Sequence, residues 1–405
     1  VALRRSALLA GLLALSCGTQ FSDPIQQLAD EEPEDACLSW STESECLADT
    51  EHGCTFQPNA VGCDPANPSC LAGTCRSGDP FVRCFGDALL LHDAPYRFVG
   101  TVSWGLAWAS DGCQVYSQAD RDQAIARTFA DLVGMRASVL KVWAFQSFAG
   151  ESGTDYSSFE RIVDAARRAG VRLILVLENH YPDCTSGGAR DDAWYRGGFE
   201  SPYGDYALSY PDYVSGLVAR FRDEPTILAW ELMHEARGED FEALDGFAAR
   251  TSALIRSLDQ NHLIALGTDA GDSAATSRAG IPSNYQRLHA HQAVDLMDVH
   301  DFFEEDTPLL SSFVELRAIS QNLAKPIFAG ATAVELEAET PAAFERRAQR
   351  VEDKLEAALG AGFAGFLVYD YYPDWPDLGR QFDARLGEPL AGPDGVIARH
   401  APSNE

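Results

Sequence analysis

The stretch Thr226-Ile-Leu-Ala-Trp-Glu-Leu-Met-His-Glu235 reads as a buried β-strand. Its apolar residues are continuous rather than helically spaced, and the run is too short for a helix. It ends in His234-Glu235, which places a carboxylate at the carboxyl end of a strand. Eight-fold α/β barrels put their chemistry at that end. Taken alone, Glu235 reads more simply as a solvated loop acid opening the next helix.

Working outward, further strand candidates are Tyr96–Val102, Val139–Trp143, Arg172–Leu177, Leu263–Gly267, Leu296–His300, Pro326–Gly330 and Gly365–Tyr369. Amphipathic stretches such as Asp120–Leu132, Ser158–Ala169, Asp240–Leu258 and Pro341–Leu359 lie between them. The last carries Thr340 as a cap, Pro341 at its first position and Gly360 beyond its end. Strands alternating with helices over roughly 300 residues predict an α/β fold, a (β/α)8 TIM barrel. A doubly wound open sheet is the alternative. No G-x-G-x-x-G follows the first strand, which argues against it.

Within the 405 residues, the barrel is assigned to 85–405. Residues 1–17, VALRRSALLAGLLALSC, combine a basic pair, a short apolar run and small residues, the pattern of a secretory signal peptide. The ending resembles a lipobox, making Cys17 a candidate for lipidation and the protein secreted or an outer-surface lipoprotein of a bacterium. Residues 18–36 form an acidic linker. Residues 37–84 hold most of the 10 cysteines. They carry few large apolar residues, so they read as a small disulfide-rich module rather than a metal knuckle. A net charge of −30 argues against nucleic acid or anionic membrane surfaces as partners. No metal or cofactor is expected, and the protein is expected to be a monomer. Cys113 and Cys184 follow the first and third strands, on one rim of the barrel, and are predicted to pair.

The strand ends gather aromatic, acidic and imidazole side chains. Trp104 and Trp108 follow the first strand, Trp143 ends the second, and Glu178-Asn179-His180 end the third, with Trp194 and Tyr195 in the loop beyond. His234-Glu235 follow the fourth, His300-Asp301 end the sixth, and Tyr369 to Trp375 follow the eighth. Aromatic faces there can support sugar rings while acids bond hydroxyls. Trp143 and Trp230 fit core packing equally well.

Ile227-Leu-Ala-Trp-Glu-Leu-Met-His-Glu235 resembles the fourth-strand signature of glycoside hydrolase clan A. Leu140-Lys-Val-Trp-Ala-Phe-Gln146, Asp295-Leu-Met-Asp-Val-His300 and Lys325-Pro-Ile-Phe-Ala-Gly330 resemble its second-, sixth- and seventh-strand motifs. Glu178-Asn-His-Tyr-Pro-Asp-Cys184 is similar to a third-strand segment. The likeness is to family 5 endoglucanases and β-mannanases. It implies retaining hydrolysis of a β-1,4-linked glucan or mannan. One Glu protonates the leaving oxygen and a second, about 5–5.5 Å away, attacks the anomeric carbon. Glu235 falls at the acid/base position. Trp104, Lys141, Trp143, Asn179, Trp194, His234, His300, Phe302 and Tyr369 fall among the implied substrate-binding positions.

The nucleophile position, directly after Gly330, is Ala331. A methyl group cannot form a glycosyl ester. Neighbouring positions depart as well: Lys141 stands for the usual Arg, His234 for Asn, Phe302 for Tyr and Tyr369 for Trp. Three functions compete on this reading. The barrel binds a polysaccharide or oligosaccharide without cleaving it, or it hydrolyses with a relocated base such as Glu335. In the third, it is a surface scaffold acting through its cysteine-rich module.

Overall fold

The computed structural model describes residues 55–58, 73–76, 79–107, 120–268, 283–302, 308–372, 384 and 387–402. The expected signal peptide, Cys17 and the acidic linker lie outside these residues, as do most of 37–84, Trp108, Cys113, Glu304, Glu305 and Trp375. Of the cysteine-rich module, the described part is a two-stranded antiparallel ladder, β1 (Thr55–Pro58) with β2 (Gly73–Arg76). Cys84 and Cys184 are each disulfide-bonded.

An antiparallel three-stranded sheet follows, made of β3 (Arg83–Phe85), β4 (Ala88–Leu91) and β5 (Ala94–Tyr96). The boundary drawn from sequence between 84 and 85 falls inside it. Val82, Leu89 and Tyr96 pack with Phe98 and Phe328 in one apolar cluster. This sheet thereby plugs the barrel at the end where its strands begin. The Arg83 guanidinium donates to Asn261 O at 2.6 Å, tying the plug to the wall.

The barrel strands are β6 (Phe98–Val102), β7 (Val139–Trp143), β8 (Arg172–Val176) and β9 (Ile227–Glu231), then β10 (Leu263–Ala265), β11 (Met297–Asp301), β12 (Ile327–Thr332) and β13 (Gly365–Val368). All neighbours pair in parallel in the order β10-β9-β8-β7-β6-β13-β12-β11. A parallel bridge from Ala265 to Leu296 joins the two ends. The observed strands match the sequence reading to within a residue or two, except that Tyr96 belongs to the plug.

Period-two alternation separates two cores. Phe98, Val102, Val139, Ile174, Phe328, Ala331 and Leu367 point inward. Val99, Leu140, Val142, Leu173 and Leu175 point outward against the helices. In α1 (Arg121–Gly134) the covering face is Ile125, Phe129 and Leu132. In α2 (Ser157–Ala169) it is Phe159, Ile162, Val163 and Ala166, the i, i+3, i+4, i+7 stripe of an amphipathic helix. The remaining helices are α3 (Asp192–Arg196), α4 (Tyr210–Phe221), α5 (Phe241–Leu258), α6 (Asn284–His289), α7 (Pro308–Leu323), α8 (Pro341–Gly360) and α9 (Val396–Arg399). The Thr340 hydroxyl caps α8 by accepting from Ala343 N at 3.3 Å. This helix includes Gly360 and stops instead at Gly362, whose φ of 94° suits a residue without a Cβ.

Phe328 is 1% exposed and central to the inner core, in ring contact with Phe98 at 5.7 Å. Phe328→Ala should lower the unfolding free energy by about 3–5 kcal/mol, read from urea denaturation midpoints at unchanged m-value.

Candidate active site

Lys141 is the first functional side chain met on passing up the barrel. It points inward from β7 with no exposure, in a segment whose other inward residues are apolar. Its ammonium lies 2.6 Å from Glu231 Oε1 on β9, 3.2 Å from Gly330 O on β12 and 3.3 Å from His300 Nε2 on β11. An ammonium can only donate, so His300 Nε2 accepts and the ring proton sits on Nδ1. That Nδ1 donates to Glu235 Oε1 at 2.9 Å.

The other oxygen of Glu235 is also held. The Tyr181 hydroxyl donates to Oε2 at 2.8 Å, and the Arg237 guanidinium lies 3.4 Å from it. Burial pushes the Glu235 pKa up. The hydrogen bonds from His300 and Tyr181 outweigh it, holding the carboxyl well below the usual range. With 13% of its side chain exposed, Glu235 opens to the mouth of the barrel rather than outward between helices.

The backbone at Glu235 has φ 52°, the left-handed region that side chains avoid. Flanking hydrogen bonds hold it there: His234 N to Glu178 O at 2.7 Å, Met233 N to Leu266 O at 3.2 Å and Ala236 N to Gly267 O at 2.9 Å. The last two require the end of β10 to press against the end of β9. A Cβ on Gly267 would meet Met233 O at 1.6 Å, so that approach demands glycine. Gly267→Ala should therefore cost at least about 2 kcal/mol of stability through backbone displacement, measured by thermal or chemical unfolding.

Ala331 faces the barrel interior in parallel register with His300. The ladders on both sides of β12 shift register around Gly330, an irregularity typical of strands that aim a residue into a site. Phe302 and Tyr369 pack against this inner cluster with ring centroids 5.4 Å apart, both only partly buried. The position that the motifs assign to a second carboxylate is thus a methyl beside the residues holding Glu235.

Opposite these lies an aromatic wall. Trp143 stacks on Phe145 at 4.8 Å and meets Trp104 and His234, each at 5.2 Å. Trp104 is half-buried at the rim. Among the described residues, nothing hydrogen-bonds to the buried Trp143 Nε1 and His234 Nδ1. Buried polar atoms ordinarily have one. Burial lowers the His234 pKa to about 3, so the ring is neutral.

Two expected ligand residues are placed differently. Trp194 is 3% exposed and sits among Phe199, Tyr210 and Phe247, beneath the loop rather than at the mouth. It is a core residue because that loop folds back and buries its aromatics. Asn179 is committed to its own turn: Nδ2 donates to Asp183 O at 2.9 Å and Oδ1 accepts from Tyr181 N at 3.2 Å. It shapes the segment that carries Tyr181 to Glu235. Trp230 is core, its indole donating to Asp259 Oδ2 at 2.8 Å. Glu335 is half-buried on the loop beyond β12. Cys184 is disulfide-bonded, and its expected partner Cys113 lies outside the described residues.

Sequence reasoning gave no role to Tyr181, Glu231, Arg237 or Gly267. Glu231 left a signal, a lone charge inside an apolar strand. Tyr181 left none, because its contact with Glu235 spans 54 positions. Glu231, His234 and His300 bring ligand-type atoms within 4.8 Å of one another, a spacing a metal ion could bridge. The Lys141 ammonium already supplies the cation between Glu231 and His300, and a second positive charge there meets direct repulsion.

Residues 210–306 match the family described as GH family 5 beta-mannosidase-like. Mannan endo-1,4-beta-mannosidase F of Aspergillus fumigatus is 28% identical over 233 residues, 51% of this chain and 51% of its own length. Probable mannan endo-1,4-beta-mannosidase F of Neosartorya fischeri is 35% identical over 237 residues, 52% and 50%. The chain therefore spans about half the length of the curated relatives it matches. Among solved structures, the endo-1,4-beta-mannanase from Rhizomucor miehei superposes with TM-score 0.60 at 18% identity, over 79% of this chain and 98% of that one. The endo-1,4-beta-D-mannanase from Thermotoga petrophila gives 0.60 at 19%, over 75% and 99%. At such identities the structural likeness shows the fold, a (β/α)8 barrel. The sequence matches, each over part of the chain, make it similar to glycoside hydrolases of the family 5 type.

The buried imidazole gives a pH prediction. The His234 pKa falls from 6.5 unfolded to about 3 folded. Its contribution to stability is present above pH 6.5 and is lost as pH falls from there toward 3. Unfolding free energy should drop by about 2–3 kcal/mol from this group between pH 7 and 4.5. His234→Asn should flatten that part of the stability profile.

Proposed function

We infer that this barrel recognises a β-1,4-linked mannan-type polysaccharide and has lost its hydrolysis. The observation that carries the reading is Ala331 in register with His300, the residue that holds Glu235. Double displacement needs two carboxylates about 5–5.5 Å apart, and one of the pair is a methyl. The remaining carboxylate is in the wrong protonation state for an acid: its donors keep it ionised, whereas a proton donor to the glycosidic oxygen needs a raised pKa. Mannan as the ligand follows the activity named for the relatives. Carbohydrate binding itself is supported by the aromatic wall and by Trp143 Nε1 and His234 Nδ1, whose missing partners sugar hydroxyls would supply. Export, read from residues 1–17, belongs to the same proposal.

The test is calorimetry with mannotetraose, alongside product analysis on mannan. Saturable binding without detectable product is expected. Azide should restore cleavage of 2,4-dinitrophenyl β-mannobioside, because a small anion attacking from the Ala331 side needs no deprotonation. The α-glycosyl azide should accumulate, since one displacement inverts the centre. Vigorous mannan hydrolysis abolished by Glu335→Gln would instead favour a relocated base.

A further inference from the structure

A site with an ionised carboxylate and no nucleophile is still complete for one reaction class. We propose that this barrel transfers a glycosyl group from an α-configured donor, whose leaving group departs without a proton, to a sugar hydroxyl, with Glu235 as general base. The inference rests on the preceding reading of the barrel as a carbohydrate site and goes beyond it by assigning an activity.

The geometry points to a base in three respects. Both oxygens of Glu235 accept from donors, His300 Nδ1 at 2.9 Å and Tyr181 OH at 2.8 Å, with Arg237 at 3.4 Å. The proton on His300 is fixed at Nδ1 by Lys141 behind it, so this imidazole cannot accept a hydrogen bond from a protonated Glu235. Among the described residues, the groups bonded to Glu235 are therefore donors from β11, from the loop after β8 and from its own segment, where His234 is neutral. The nearby acid Glu231 is paired with Lys141 at 2.6 Å.

Ala331 supplies the other half. In a retaining site, a nucleophilic carboxylate covers the α-face of the anomeric carbon and repels an anionic substituent there. A methyl removes both the bulk and the charge. An α-substituent such as fluoride or phosphate can then occupy that face while an acceptor approaches from the Glu235 side. In the step itself, the acceptor O–H proton passes to Glu235 as the acceptor oxygen bonds to C1. The C1–X bond breaks with its electron pair, and X leaves as the anion. The net change is glycosyl-X plus ROH giving the β-glycoside plus HX, with inversion. Lys141, His300 and Tyr181 act as positioning residues, since they touch Glu235 or one another.

The experiment uses the full chain with α-mannosyl fluoride as donor and 4-nitrophenyl β-mannoside as acceptor, following fluoride release and the disaccharide product. Acceptor-dependent fluoride release with a β-linked product is expected. Glu235→Gln should reduce the rate by about a hundredfold or more, the usual scale for losing a general base. Mannotetraose calorimetry on that variant confirms that the site is still folded. Glu235→Gln at the wild-type rate would overturn the assignment of the base. No acceptor-dependent release by a protein that binds mannotetraose would overturn the transferase proposal while sparing the binding reading. Absence of mannotetraose binding by the unmodified chain would overturn both.

Discussion

A fully buried ammonium must find partners for its hydrogens within the protein, and Lys141 finds three among the described residues, each on a different strand. Glu231, Gly330 O and His300 Nε2 come from β9, β12 and β11, so the cation at β7 ties four walls of the barrel together. A buried ion pair gains little over an apolar pair of the same volume, but losing one partner strands a charge, at a cost of about 3–5 kcal/mol. The constraint is therefore on geometry more than on net stability. It fixes the tautomer of His300, and through His300 the orientation and ionisation of Glu235.

On the reading proposed above, that arrangement keeps Glu235 ordered although Ala331 stands at the nucleophile position. In a two-carboxylate site each acid raises the pKa of the other, which keeps one of them protonated. Ala331 contributes no charge, and the described side chains bonded to Glu235 are all donors. Their hydrogen bonds favour the ionised carboxylate. The departures at Lys141, Phe302 and Ala331 converge on one small region, two of them in contact with the inner cluster beside Tyr369.

The barrel was legible in the sequence because period-two strands and amphipathic helices leave a local pattern. The α2 stripe and the Thr340 cap of α8 were readable for the same reason. Helix ends were less so: α8 passes through Gly360, since a glycine near a helix end marks a stop only when the backbone turns left-handed there, as it does at Gly362. Trp194 and Asn179 were misplaced because a loop residue's direction depends on how the loop closes. One went under the loop and the other into its own turn.

The sequence by itself determined the strand order, the carboxylate after β9 and the methyl after Gly330, because strand periodicity and residue identity are local properties. Only the tertiary structure decided that Tyr181 and His300, 54 and 65 positions away, both donate to Glu235, and that Lys141 stands behind His300. Protonation follows from distance and burial, and neither is set until the barrel closes.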